Sequence, residues 1–107
     1  LPSNASITKL QVATDALGGS CTFNVGIYQT DGTVVDEDFY ATSVADGTTA
    51  VADLRTEAAD INTIGAKLFE NAGASTDPGG YYYIAVTFNA TGGTAGDLSF
   101  IIEYVIN

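Results

Sequence analysis

The side chains in this sequence best suited to chemistry are carboxylates. Asp36, Glu37 and Asp38 are contiguous, Asp31 stands shortly ahead of them, and together they offer oxygen ligands of the kind calcium takes. The spacing of an EF-hand loop and its closing glutamate is missing, so a solvated acidic stretch is the plainer reading. Pairs of carboxylates for glycoside hydrolysis are available in so acidic a chain, but nothing sets one pair apart. Histidine is absent, which removes the base a serine nucleophile needs and the usual zinc, copper and non-haem iron ligand sets; Gly-x-Ser-x-Gly is also absent. Cys21 is the single cysteine, so no intramolecular disulfide forms, and its place on an apolar strand face suits a buried small hydrophobe better than a thiolate. Gly79-Gly80 and Gly92-Gly93 lack the lysine and the following helix of a phosphate cradle and read as turn glycines. Asn4-Ala5-Ser6 and Asn89-Ala90-Thr91 match the glycosylation tripeptide by coincidence. No catalytic, cofactor-binding or metal-binding residue is expected, and the chain is not read as an enzyme.

What remains is contact chemistry. In residues 81–89, Tyr82, Ile84, Val86 and Phe88 fall on one face and Tyr81, Tyr83, Ala85 and Thr87 on the other, the period of a half-buried strand. Tyrosines opposite the core are either cross-strand pairs or a contact surface. Leu98, Phe100, Ile102, Tyr104 and Ile106 alternate in the same way, with Ile101 and Val105 on the opposite face beside Ser99 and Glu103. Tyr81, Tyr83, Ile101 and Val105 are therefore the candidate subunit or partner contacts. Residues 90–96, rich in glycine, predict a turn that makes these two strands a hairpin.

The elements ahead of them read in order. Residues 6–13 predict a strand with Thr8, Leu10 and Val12 on one face and Ile7, Lys9 and Gln11 on the other. Cys21, Phe23, Val25 and Ile27 alternate most clearly and are the predicted core. Thr30-Asp31-Gly32-Thr33 predicts a hairpin turn of the primed type leading into Val34-Val35. Residues 36–50 show no clean period and read as irregular, with a turn at 45–47. Residues 48–58 favour a strand, 60–63 a cap or turn, and Leu68-Phe69-Glu70-Asn71-Ala72 before Gly73 a short helix. The tally predicts an all-β antiparallel sandwich, with jelly-roll topology one option, and at most one short helix.

Composition bounds the partners. A chain of 107 residues makes one domain. With 13 acidic residues against three basic ones the net charge is −10, which repels phosphate backbones and anionic lipid, so no nucleic-acid or membrane partner is expected. No apolar run approaches the roughly 20 residues that span a bilayer. The opening Leu1-Pro2, without methionine, looks like a connection into a strand, and an N-terminal extension ahead of it is expected.

These motifs carry a resemblance. The run from Leu1-Pro2-Ser3-Asn4-Ala5 to Ile7, Asp15-Ala16-Leu17-Gly18, and Thr22-Phe23-Asn24-Val25-Gly26-Ile27-Tyr28 is similar to small structural proteins of tailed bacteriophages. Val35-Asp36-Glu37-Asp38 with Ala41, the Leu68 to Gly73 segment, Asp77-Pro78-Gly79-Gly80 before a tyrosine strand, and Ala95-Gly96-Asp97-Leu98 to Tyr104 follow in the same order. The resemblance covers nearly the whole chain and rests on turns and strands. It implies a capsid decoration, or cement, protein: a β-sandwich on the outer capsid surface of the virion that binds the major capsid protein and stabilises its lattice, as a homo-oligomer with a trimer favoured. A carbohydrate-binding or adhesion module on a virion or bacterial surface, and a tail or neck structural subunit, are the alternatives.

Overall fold

The computed structural model describes residues 1–18, 21–45, 65–89 and 93–106. The strand expected over 48–58 and the turn or cap at 60–63 lie outside the described residues. Five strands and one helical turn are described: β1 (Ala5–Thr14), β2 (Thr22–Gln29), β3 (Val34–Ala45), α1 (Leu68–Asn71), β4 (Tyr82–Phe88) and β5 (Leu98–Ile106). They form two antiparallel sheets, one ordered β1-β5 and the other β3-β2-β4. The core lies between them: Ile7, Leu10 and Val12 of β1, Phe23, Val25 and Ile27 of β2, Tyr40 and Ala41 of β3, and Leu68 of α1 are buried in one cluster. Each fully buried Leu, Ile or Phe in it contributes about 1.5–3 kcal/mol of transfer free energy. This is the all-β sandwich that the alternation of β2 predicts, and Cys21, Phe23, Val25 and Ile27 are all buried as expected.

Four expectations are corrected. The strands at 82–88 and 98–106 do not form a hairpin. β4 pairs with β2, from Gln29 opposite Tyr82 to Phe23 opposite Phe88, whereas β5 pairs with β1. The connection between them crosses from one sheet to the other, and its far end is strapped to the segment after β1: Thr94 N–H donates to Leu17 O, Asp15 N–H to Asp97 O, and Asp97 N–H to the Asp15 carboxylate. Small residues and glycines signal that the chain turns, not into which sheet.

The second correction concerns β1. Ile7 is opposite Tyr104 and Lys9 opposite Glu103, so Thr8 is one extra residue, a β-bulge. The bulge reverses the side-chain phase, and Ala5 and Ile7 join Leu10, Val12 and Thr14 on the buried face while Thr8 is exposed.

The third is residues 36–45, which are not irregular chain but continue the strand begun at Val34-Val35 into β3, the longest of the described strands. Its alternation is unreadable because Val25 is opposite Ala41 and Ile27 opposite Asp36, leaving four residues, 37–40, across from Gly26 alone. The backbone of Asp36 and Glu37 passes directly over Gly26, where a Cβ would meet the Asp36 carbonyl oxygen and the Glu37 carbonyl group. The turn into β3 is present, closed by Gly32 N–H to Gln29 O and Gln29 N–H to Thr33 O. The fourth correction is its type: Gly32 has positive φ, at 90°, but it follows the central residues Thr30 and Asp31, which do not, so this is a turn followed by a left-handed glycine and not the primed type, which needs positive φ at a central residue.

The helical turn falls where the sequence places it. Leu68 is its one buried residue, Phe69 N–H donates to Ser3 O, and Asn71 Nδ2 donates to the buried Tyr40 hydroxyl at 3.0 Å.

Candidate contact surface

The β1-β5 sheet presents an outward face built from alternate residues of two paired strands. On β5 these are Ser99, Ile101, Glu103 and Val105; opposite them stand Ala13, Gln11, Lys9 and Ser6 of β1. Ile101 is 53% and Val105 45% exposed, large values for aliphatic side chains in a sheet. Lys9 Nζ lies 3.9 Å from Glu103 Oε2, an exposed pair whose own stabilisation is under about 1 kcal/mol but which cancels the charge of this face. Beside Ile101 a shallow apolar hollow of ≈ 80 Å³ is lined by Gln11, Val12, Ala13 and Ser99. The result is a strip of no net charge, partly apolar, on a chain of net charge −10.

Tyr81 and Tyr83 occupy the other sheet. Tyr81 is 66% and Tyr83 54% exposed at the start of β4, and Tyr83 is paired across the strands with Tyr28, whose hydroxyl shares a hydrogen bond with the Thr87 hydroxyl. The four candidate residues are thus exposed, as expected, but split into two pairs on the outer faces of different sheets. Ile101 and Val105 form one surface, and Tyr81 and Tyr83 another.

The acidic run is part of β3 and not a loop. Partial burial pushes the Asp36 carboxyl up from its ordinary value, followed by its hydrogen bond and repulsion with Asp38; the Asp38 N–H also donates to it at 3.4 Å. Among the described residues no three metal-capable side chains converge. Asp31 and Asp77 titrate low for local reasons: the Thr33 N–H donates to Asp31, and the Ser3 hydroxyl, at 2.6 Å, and the Gly79 N–H donate to Asp77.

Two arrangements escape a reading by alternation. The first is a polar cluster at the end of the three-stranded sheet, where Oδ1 of the buried Asn24 side chain accepts from Ser43 N–H at 2.8 Å and from Asn89 Nδ2 at 2.9 Å. Ser43 is held there at φ 52°, and Asn89 Nδ2 also reaches Thr22 Oγ1. An asparagine amid the alternating residues of β2 is the signal that marks it. The second is the start of the chain, which runs along β4 before it enters β1. Tyr82 N–H donates to Leu1 O at 2.9 Å, the Leu1 amino group donates to Tyr82 O at 2.8 Å, and Ser3 N–H donates to Gly80 O. Desolvation in that position lowers the amino group's pKa. Comparison with protein-family models, with curated proteins and with solved structures found no match to this chain.

Proposed function

We propose that this chain is a structural virion protein, a capsid decoration protein that binds the outer face of a tailed-phage head and bridges neighbouring major capsid subunits. The observation that carries this reading is the outer face of the β1-β5 sheet, where Ile101 and Val105 stand exposed around a neutralised Lys9–Glu103 pair. Such a strip suits contact with another protein surface, since interface cores are depleted in charge. The acidity of the rest of the chain is consistent with an exposed capsid exterior, away from packaged nucleic acid. Stabilisation is by mass action: a subunit that binds only the assembled, expanded lattice lowers its free energy, and many copies add. A trimer at local threefold positions is the proposed arrangement.

The test is co-sedimentation of the purified chain with expanded capsids that lack it, followed by electron cryo-microscopy of the pellet. Saturable binding at regular lattice positions is expected, and a chain that stays in the supernatant at all concentrations contradicts the reading. The exposed tyrosines Tyr81 and Tyr83 favour one other reading, a carbohydrate-binding module with the rings as a stacking platform. Glycan-array binding without capsid binding identifies that role. Copy number separates head decoration, with hundreds of subunits, from a neck or tail subunit with about a dozen.

A further inference from the structure

We propose that the outer face of the β2-β4 pair is a docking surface for a basic segment of another protein, whose arginine side chains it takes. Tyr28 and Tyr83 stand opposite each other on that face, and Tyr81, 66% exposed, continues the row. The Tyr28 hydroxyl shares a hydrogen bond with the Thr87 hydroxyl, although Thr87 pairs with Asn24, two rungs beyond the Tyr28–Tyr83 pair on the same face. The Tyr28 ring therefore extends along the sheet past Ala85, beside the β3 backbone that covers Gly26. With its hydroxyl tied to Thr87, it offers a ligand its ring more than its polar tip.

Charge selects the occupant. β2, β3 and β4 carry the carboxylates of Asp36, Glu37 and Asp38 and no cation, whereas on the other sheet Lys9 offsets Glu103. Asp36 and Glu37 begin the bulge that crosses Gly26, next to the Tyr28 ring, and Glu37 is exposed. The face of an aromatic ring attracts a cation, and a guanidinium can stack on a ring while its edge donates to a carboxylate. A neutral sugar would gain the stacking and nothing from the negative charge. A second copy of this chain would bring a further net charge of −10. An arginine-bearing segment matches both the rings and the acids. A strand paired with the β4 edge would lie in the plane of the sheet and leave this face accessible, so the surface does not depend on what borders that edge. Nor does it depend on the capsid being the partner.

The experiment is an NMR titration of the full chain, at about 0.05 M salt, with a capped pentapeptide of alternating arginine and glycine. Saturable amide shifts are expected at Glu37, Tyr81, Tyr83, Ala85 and Thr87. Replacing both exposed rings, Tyr81→Leu with Tyr83→Leu, leaves the net charge as it is and should weaken binding by at least about fivefold. Ile101→Ser on the other sheet should change it by no more than about twofold. The shift map of the unaltered chain decides the matter even if the double variant folds poorly. Four results overturn the proposal: shifts that never saturate; shifts centred on β1 and β5; an unchanged affinity in the double variant, which means that net charge alone holds the peptide; or shifts at these amides with a neutral glucose tetrasaccharide and none with the peptide, which assigns the face to sugar.

Discussion

Gly26 has no room for a methyl group, because the bulged backbone of β3 crosses it at the Asp36 and Glu37 carbonyls. Both obstacles are main chain, so Gly26→Ala forces the bulge off β2 and not merely a rotamer change. Overpacking of this kind costs about 3 kcal/mol or more, and urea unfolding of the variant should show the loss as a lower midpoint with an unchanged slope. Tyr40 makes a second residue-scale prediction. It is 3% exposed, and burial pushes its phenol up to about 12 against the hydrogen bond from Asn71, which acts in the opposite direction. Because the folded value is the raised one, the folded state holds its proton where the unfolded chain has begun to lose it. The associated stability is therefore complete below the unfolded value of 10.0 and disappears as pH climbs toward 12. The loss is on the order of 2–3 kcal/mol. Urea midpoints at about pH 9 and about pH 12 should converge in Tyr40→Phe relative to the parent, while the variant loses about 1 kcal/mol at neutral pH with the Asn71 bond.

At the scale of elements, the bulge in β1 makes the sharpest prediction. Deleting Thr8 brings Lys9 into line behind Ile7, and every pair from Ala5–Ile106 to Thr14–Leu98 then follows one continuous register with the same side chains facing inward. That deletion should cost no more than about 1 kcal/mol, whereas deleting Gln11 puts Leu10 and Val12 out of phase and should cost several, as read by thermal unfolding. The same feature explains what the sequence could and could not reveal. β2 was legible because it is regular and covered on both sides, so Cys21, Phe23, Val25 and Ile27 alternate without interruption. β1 and β3 were obscured because a bulge adds a residue without a change in composition: Thr8 looks like any strand residue, and 37–40 mixes acids with aromatics. The pairing of β4 and β5 is hidden from the sequence for another reason. Closeness in sequence favours a hairpin, but the strap from 94–97 to 15–17 carries the chain to β1, and such long-range bonds leave no periodic trace. The exposed residues fared better than the topology, since a face is set by alternation within one strand, and Tyr81, Tyr83, Ile101 and Val105 needed only that.

For the whole molecule, charge decides where contact is tolerable. A net −10 on 107 residues raises the cost of bringing any acidic partner close, and this repulsion falls as ionic strength shortens the screening length from about 10 Å at 0.1 M toward 3 Å at 1 M. A partner held through the carboxylates, on a basic surface, would be released by salt. A partner held through Ile101 and Val105 would not, because apolar burial is indifferent to screening and the remaining long-range repulsion is weakened by it. Binding to expanded capsids should therefore hold steady or strengthen between about 0.05 and 0.5 M sodium chloride, measured as the fraction pelleted. Ile101→Asp tests the same face directly. Its side chain is already half exposed, so the substitution should cost the isolated fold no more than about 1 kcal/mol. It would nonetheless bury an unpaired carboxylate at the contact, and pelleting should fall by at least about tenfold. Binding that survives Ile101→Asp but collapses in salt would move the contact to the acidic remainder of the surface. Binding that survives both would leave the tyrosine face of the other sheet, where Tyr83→Ala becomes the deciding variant.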